Sequence, residues 1–440
     1  VFLVSKVKFS PREIFAGTDA MTGLGFGLGA GLGLAITTLL VRESSLALHT
    51  DLLVSAAVTL VFMITVQSIV SVIYVYFQDK KQFAPLPYNL SALQIDAAKI
   101  YSMNAKLVLD VCQSLYEKHK LITYPRSDCR FLPVEHHQQA KAIIGILAAS
   151  TERYAEFGKN ANFSLKSKAW NNSKVSAHHA IIPTEKSANN ISLNPFEKNV
   201  YQLIVRQYLA QFYPPYIYQQ TQVELEIVQG KFTVNAKVPQ QLGWKAIFQF
   251  SKTKNIANES SKPDVFSEQL LPKLTQGETL NCLNGVIAEK LTQAPKAYTD
   301  ATLLSAMTGI ARYVQNKEIK KILKDTDGLG TEATRAGIID LLFKRGFLQR
   351  IGKNITASDI GISLINALPE MATTPDMTAQ WEATLTDISE RRSNYKNFIT
   401  PLTATLTEMV YQAEQQSFEQ LPKVPFKRKT KRKTRFKKAG

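Results

Sequence analysis

The sequence predicts an α+β protein of several domains, preceded by a two-helix apolar hairpin. Three observations carry this expectation. The chain has 440 residues, 45% of them hydrophobic and 9% aromatic, enough for two or more cores and too many for wholesale disorder. Its hydrophobic period changes along the length, from helical spacing over residues 107–115 to strict alternation over 221–238. Residues 22–41 and 52–78 each carry no charge, and each is longer than the roughly 18 apolar residues that suggest a membrane span.

Residues 1–80 are therefore expected to hold two transmembrane helices. Arg42, Glu43, His49 and Asp51 fill the short connection between them. Lys6, Lys8 and Arg12 precede the hairpin and Lys80 and Lys81 follow it, which puts both ends in the cytoplasm by the positive-inside tendency. The expected location is the cytoplasmic membrane, with the rest of the chain in the cytoplasm. The alternative is a hairpin buried in a soluble protein of the cytoplasm or nucleoid. Glycines at alternate positions from Gly23 to Gly33 offer close-approach faces to a neighbouring helix. Their GxGxxG-like strings follow no strand and precede no suitably spaced acid, so no nucleotide partner is expected.

Residues 83–88 form a Pro-containing linker. Ser91 is expected to cap a helix through Tyr101, and Asn104 a second one to about His119. Leu107, Val108, Val111, Cys112 and Leu115 share one face of the second helix. With the strand-like residues 121–124 the pair resembles a helix-turn-helix unit. The alternation on both sides of Gly230 predicts a hairpin, followed by Gly243-Trp244 and a polar loop over 255–264. Further on, a helix over 333–345, a hairpin over 347–357 and a helix over 360–368 read as a winged helix. Residues 423–440 are a basic arm suited to phosphates. The expected divisions are 1–80, 81–190, 191–295, 296–420 and 421–440.

The formal net charge of +17 and pI near 9.5 imply a polyanionic partner, either nucleic acid or an anionic membrane face. Cys112, Cys129 and Cys282 form no CxxC pair and lie near no histidine at zinc spacing, which excludes a disulfide framework.

Four strings carry candidate chemistry. In LITYPRSDCR, Pro125 fixes the backbone after Tyr124, and Arg126 can neutralise the oxygens of a phosphate that the tyrosine attacks. A phenol ionises near pH 10, so such a nucleophile needs positive charge beside it. In AHHAIIPT, a histidine can hydrogen-bond a phosphate oxygen or assist proton movement. In GLGTEATRA, glycines lead into a helix start that attracts phosphate, with Arg335 as a further donor. In PKAYTDATLL, Tyr298 beside Lys296 suits base stacking. Taken singly, each string has a structural reading too: a strand end, a structural histidine, a capped helix, an aromatic cap.

The order TYPRSD, AHHAIIPT, a strand-rich GW region, PKAYTDATLL and GLGTEATRAGIIDLLFKRGFL resembles that of the bacterial type IA DNA topoisomerases. PLPYNLSALQ before the tyrosine, and HHAIIPT, look most like the topoisomerase III branch. The resemblance covers roughly residues 81–420. It implies part of a toroid: a tyrosine-bearing cleavage domain with a winged-helix-like fold, a β-rich arch and a helical DNA-binding base. It implies that Tyr124 forms a 5′-phosphotyrosine bond with DNA, that Arg126 positions the scissile phosphate, and that His178 is the active-site histidine with His179 beside it. Thr331, Thr334 and Arg335 would hold a single strand near the cut.

Against the family pattern, the sequence shows no TOPRIM domain, with its general-acid Glu and its Asp-x-Asp-x-Asp cluster for Mg²⁺. Mg²⁺ is expected for the family, but its ligands are not recognised in this chain, and no metal-ligating residue is assigned. The expected partners are single-stranded DNA and a TOPRIM-containing chain, with activity impaired without the latter. The alternative is a membrane-tethered, non-catalytic DNA-binding remnant.

Overall fold

Strict alternation builds the first of two units. The computed structural model describes residues 2–10, 70–175, 177–227, 230–249, 271–272, 274–325 and 328–415. The chain divides into a unit of residues 1–85, 159–167 and 209–295, and a unit of 86–158, 168–208 and 296–440. In the first, strands β1 (Phe2–Ser10), β2 (Val70–Gln82), β3 (Tyr216–Ile227), β4 (Gly230–Gln241) and β5 (Thr279–Lys290) form one sheet in the order β1-β5-β2-β3-β4. Each pairing is antiparallel. The register sets Val75 opposite Val223, and Val223 opposite Val234. Val223, Leu225, Phe232 and Val234 alternate onto one face, where Leu274 and Leu280 complete a buried cluster.

β2 corrects part of the expected membrane hairpin. The sequence places Val70–Gln78 in the second span, yet these residues are a strand paired with β3 from Ile227 to Gln220. The run VSVIYVYF is β-branched and aromatic, and a short apolar run of that kind serves a strand as well as a helix. Among the described residues no helix is long and apolar enough to cross a membrane. The first expected span, the remainder of the second, the 255–264 loop and the basic arm lie outside the described residues.

The second unit is mainly helical. Among the described residues, its helices of eight residues or more are α1 (Leu90–Tyr101), α2 (Ala105–Glu117), α3 (Ala140–Ser150), α4 (Glu152–Lys159), α5 (Pro195–Leu209), α6 (Asp300–Thr308), α7 (Lys317–Asp325), α8 (Glu332–Lys344), α9 (Asp359–Ala367), α10 (Asp376–Ser389) and α11 (Tyr395–Gln415). Asn104 caps α2 as the sequence predicts, accepting from Leu107 N at 2.8 Å. Val108, Val111, Cys112 and Leu115 bury the predicted face. The cap of α1 is Asn89 rather than Ser91: Asn89 Oδ1 accepts from Ala92 N at 3.0 Å, while Ser91 is buried inside the first turn. Strands β6 (Leu348–Ile351) and β7 (Asn354–Ala357) form the hairpin between α8 and α9. Helix, hairpin and helix follow in the order of a winged helix.

One glycine in the sheet unit is required by its backbone. Gly243 has φ +49°, and a Cβ there would stand 2.3 Å from Pro214 O. This close approach lets Trp244 N donate to Pro214 O at 3.0 Å and Trp244 Nε1 to Gln82 O at 2.9 Å. Gly243→Ala is expected to destabilise the protein by about 1–3 kcal/mol through the left-handed backbone alone, with the clash adding to it. A urea midpoint equal to that of the unaltered chain would contradict this.

Candidate active site

The site is built around the N-terminus of α1. Leu90 N donates to Ser127 O at 3.0 Å, and Asn89 Nδ2 to Asp128 O at 3.1 Å, so the helix start holds the TYPRSD loop by its carbonyls. From the other side Arg130 donates through Nε to Pro87 O at 2.9 Å and through Nη2 to Leu86 O at 2.8 Å. Two segments far apart in sequence are thereby fixed to each other.

The AHHAIIPT segment grips the same loop. Thr123 N donates to Ile182 O at 3.0 Å, and Thr184 N to Leu121 O at 3.0 Å. The Thr123 hydroxyl donates to Ala180 O at 3.1 Å and accepts from Ile182 N at 3.0 Å. Ile181 N donates to Tyr88 O at 2.8 Å, drawing in the residues before α1. Ile122 and Pro125 are buried on either side of Thr123 and Tyr124, so the tyrosine stands on an anchored stem.

Tyr124 itself is 36% exposed. His178 stacks on it, with ring centroids 4.3 Å apart and planes 18° from parallel, and Tyr116 of α2 meets it edge-on at 6.0 Å. Both Tyr124 and His178 are exposed, so the stacked pair is accessible from solvent. Arg126 is exposed two residues on, its Nη2 donating to Gln113 Oε1 at 3.0 Å. The structure thus brings Tyr124 and His178 together, with Arg126 on the same short loop.

His179 points elsewhere. Its Nδ1 lies 2.8 Å from Ala180 O, and its ring meets His136 edge-on at 4.8 Å. A carbonyl only accepts, so Nδ1 carries the proton in the neutral ring and Nε2 is left as an acceptor. Burial holds the His179 pKa below the ordinary imidazole value, and the neighbouring His136 and His178 push it the same way against the Ala180 hydrogen bond.

Of the remaining expected residues, Thr331 and Thr334 are exposed at the start of α8 and form a capping box, with Thr331 N donating to Thr334 Oγ1 at 3.0 Å. Lys296 is exposed, and Tyr298 is 40% exposed before α6. Arg335, expected on the DNA side, is instead buried. Its Nη1 donates to Ser91 Oγ at 2.8 Å and Glu332 Oε1 at 2.9 Å, its Nη2 to Gly330 O at 2.7 Å, and its Nε to Leu329 O at 3.1 Å. These bonds shape the GLGT loop from within.

Glu332 is a site residue that the sequence does not single out. Its carboxylate accepts from Ser91 N at 2.5 Å, Asn89 Nδ2 at 3.3 Å and Arg335 Nη1 at 2.9 Å. It lies in a helix first turn, where acids are ordinary, so nothing local in the sequence marks it out. Burial raises its pKa, against the hydrogen bonds and the Arg335 charge that favour the carboxylate. Among the described residues no three or more His, Cys, Asp or Glu side chains gather to hold a metal ion. The donor set needed for Mg²⁺ is therefore not met by these residues.

Comparison with known proteins gives the family of the chain. The family model described as DNA topoisomerase matches residues 55–400. The chain belongs to the bacterial DNA topoisomerase family. Within that family it is of the type IA, topoisomerase III-like kind. It is 49% identical over 345 residues to DNA topoisomerase 3 of Haemophilus influenzae, covering 78% of this chain and 51% of that protein. It is 50% identical over 338 residues to DNA topoisomerase 3 of Vibrio cholerae, covering 77% and 51%. The chain thus spans about half the length of the curated relatives it matches. The fold is similar to that of full-length topoisomerase I from Thermotoga maritima, with a TM-score of 0.59 at 19% identity, covering 93% of this chain and 58% of that one.

Two outcomes are expected from this geometry. Glu332→Ala leaves Arg335 buried without its anion and is expected to lower stability by about 3–5 kcal/mol; an unfolding midpoint within error of the unaltered chain would refute that role. His179 has a depressed folded pKa, so the unfolded chain takes up its proton first on acidification. Stability is complete above the ordinary imidazole pKa of about 6.5 and is lost as pH falls through the lower folded value. His179→Gln is expected to lose less stability between pH 7.5 and 5 than the unaltered chain, measured by urea unfolding at each pH.

Proposed function

We propose that this chain is the strand-cleaving part of a type IA topoisomerase, which cuts and rejoins single-stranded DNA through Tyr124. The observation that carries the reading is the Tyr124–His178 stack on a loop fixed by α1, with Arg126 two residues on. The phenol oxygen of Tyr124 attacks a backbone phosphorus. A tyrosyl P–O bond forms, the P–O3′ bond breaks, and the departing 3′ oxygen takes up a proton as the phenol gives one up. One phosphodiester replaces another, so the reverse attack by the 3′ hydroxyl restores the strand without a nucleotide cofactor. Arg126 neutralises phosphate oxygens. His178, stacked rather than edge-on, donates to a phosphate oxygen as charge develops there. Thr331, Thr334, Lys296 and Tyr298 hold the strand on either side.

The proton for the 3′ oxygen, and the carboxylates for Mg²⁺, are supplied in this reading by a TOPRIM-containing segment or partner outside the described residues. Mg²⁺ would organise phosphates there, and none of the steps assigned to this chain's residues passes through it.

The reading is tested with the full chain, Mg²⁺, a separately purified TOPRIM fragment of a topoisomerase III relative, and a single-stranded oligonucleotide labelled at its 3′ end. Denaturant should trap label on the protein, and Tyr124→Phe should reduce it below detection. His178→Ala should slow adduct formation by about 10²-fold or more. Label retained in full by the Phe variant would remove Tyr124 from the mechanism. Strand binding with no adduct under any condition would favour a non-catalytic DNA-binding chain.

A further inference from the structure

We infer that Tyr298, Tyr313 and the lysine face of α7 form a single-strand track leading to the GLGT loop. This rests on the single-strand reading above and assigns it a site beyond the strings recognised in the sequence. Tyr298 Oη donates to Tyr313 Oη at 3.3 Å, joining two rings that are 40% and 57% exposed. The backbone beneath Tyr298 is fixed, because its carbonyl accepts from Ile355 N of β7 at 2.6 Å. Two tyrosines held together on the surface offer a base a flat apolar face with little freedom left to lose.

Lysines outnumber acids beside them, although Glu318 is an exposed acid in the first turn of the helix that follows. Asp300, two residues after Tyr298, is held by Arg350 in a bidentate pair at 2.5 and 3.0 Å, so its charge is already matched. Four residues after Tyr313, α7 begins, with Lys317, Lys320, Lys321 and Lys324 at i, i+3, i+4 and i+7. That spacing puts all four on one stripe. The opposite stripe, Ile319, Ile322 and Leu323, packs into a cluster with Ala311, Val314 and Ala379. Packing therefore fixes which way the lysines face, and the stripe from Lys317 to Lys324 is about 10 Å long, room for one or two nucleotides.

In sequence, the GLGT loop before α8 begins four residues after Lys324. Gly328 has φ +85°, and a Cβ there would lie 2.6 Å from Met307 O. This close approach lets Leu329 N donate to Met307 O at 2.9 Å and seats the GLGT loop on the end of α6. Aromatic pair, lysine stripe and exposed Thr331 and Thr334 thus follow one another along the chain. A strand of regularly spaced phosphates with stackable bases fits this order; a folded protein partner gives no reason for it.

The test is fluorescence anisotropy of labelled oligothymidylate with the full chain across a sodium chloride series, with thermal unfolding as a folding control. Tyr313→Ala should weaken binding about ten-fold, and Tyr313→Phe, which keeps the ring, should retain most of it. Replacing the four lysines by glutamine should flatten log K against log[salt] by about 0.7 for each phosphate no longer neutralised. Oligothymidylate binding with unchanged affinity and slope in the alanine and glutamine variants would overturn the track and leave the single-strand reading standing. Failure of the unaltered chain to bind at low salt would overturn that reading itself.

Discussion

A buried ion pair at the start of α1 is the constraint on which the helical unit depends. Glu332 and Arg335 sit one turn apart on α8, and between them they bond Asn89, Ser91, Leu329 and Gly330. Removing two charges from water is unfavourable unless their remaining donors and acceptors are satisfied. Here they are satisfied by three strings at once: the start of α1, the GLGT loop and α8 itself. The pair can be buried with its bonds satisfied only when these segments have assembled, so it specifies their arrangement more than it adds to net stability.

From that junction the order propagates to Tyr124 without regular secondary structure. The start of α1 holds Ser127 and Asp128 by their carbonyls, and Thr123 is locked between Ala180 and Ile182. Each such bond contributes only about 1 kcal/mol net. Together they leave the Tyr124 stem with few ways to move, while the ring stays accessible. The nucleophilic role proposed for Tyr124 would need this combination, because misplacement of an ångström is expensive in rate.

What is legible in the sequence follows from how local each signal is. The Asn104 cap, the alternation around Gly230 and the helix–hairpin–helix order after Thr331 rest on residues a few positions apart, and the structure shows all three elements. The sequence misplaces the cap of α1 by two residues because Ser91 has a capping side chain, yet its hydroxyl is taken by Arg335, 244 positions away. Strand β2 resembles the end of a helix because a β-branched apolar run has no period of its own; its partner β3 lies 134 or more residues further on. The roles of Arg335 and Glu332 are illegible for the same reason. Nothing in TEATR distinguishes an arginine facing DNA from one facing a buried carboxylate.

That distinction matters for how the chemistry is divided. An acid with a raised pKa near a reacting loop is ordinarily the first candidate for proton transfer. Glu332 meets that description, since burial raises its pKa and it lies one hydrogen bond from the residues that hold Ser127 and Asp128. Its oxygens are nevertheless occupied by a backbone N–H, an amide and a guanidinium. To give up or take a proton it would have to break the junction that positions the tyrosine. Glu332 is therefore a positioning residue, and the exposed Arg126 and His178 near Tyr124 are the groups proposed to neutralise and bind phosphate. A site that offers cations to the strand, and keeps this carboxylate for its own architecture, needs its proton donor from a separate surface, and that division of labour is what the proposed TOPRIM contribution supplies.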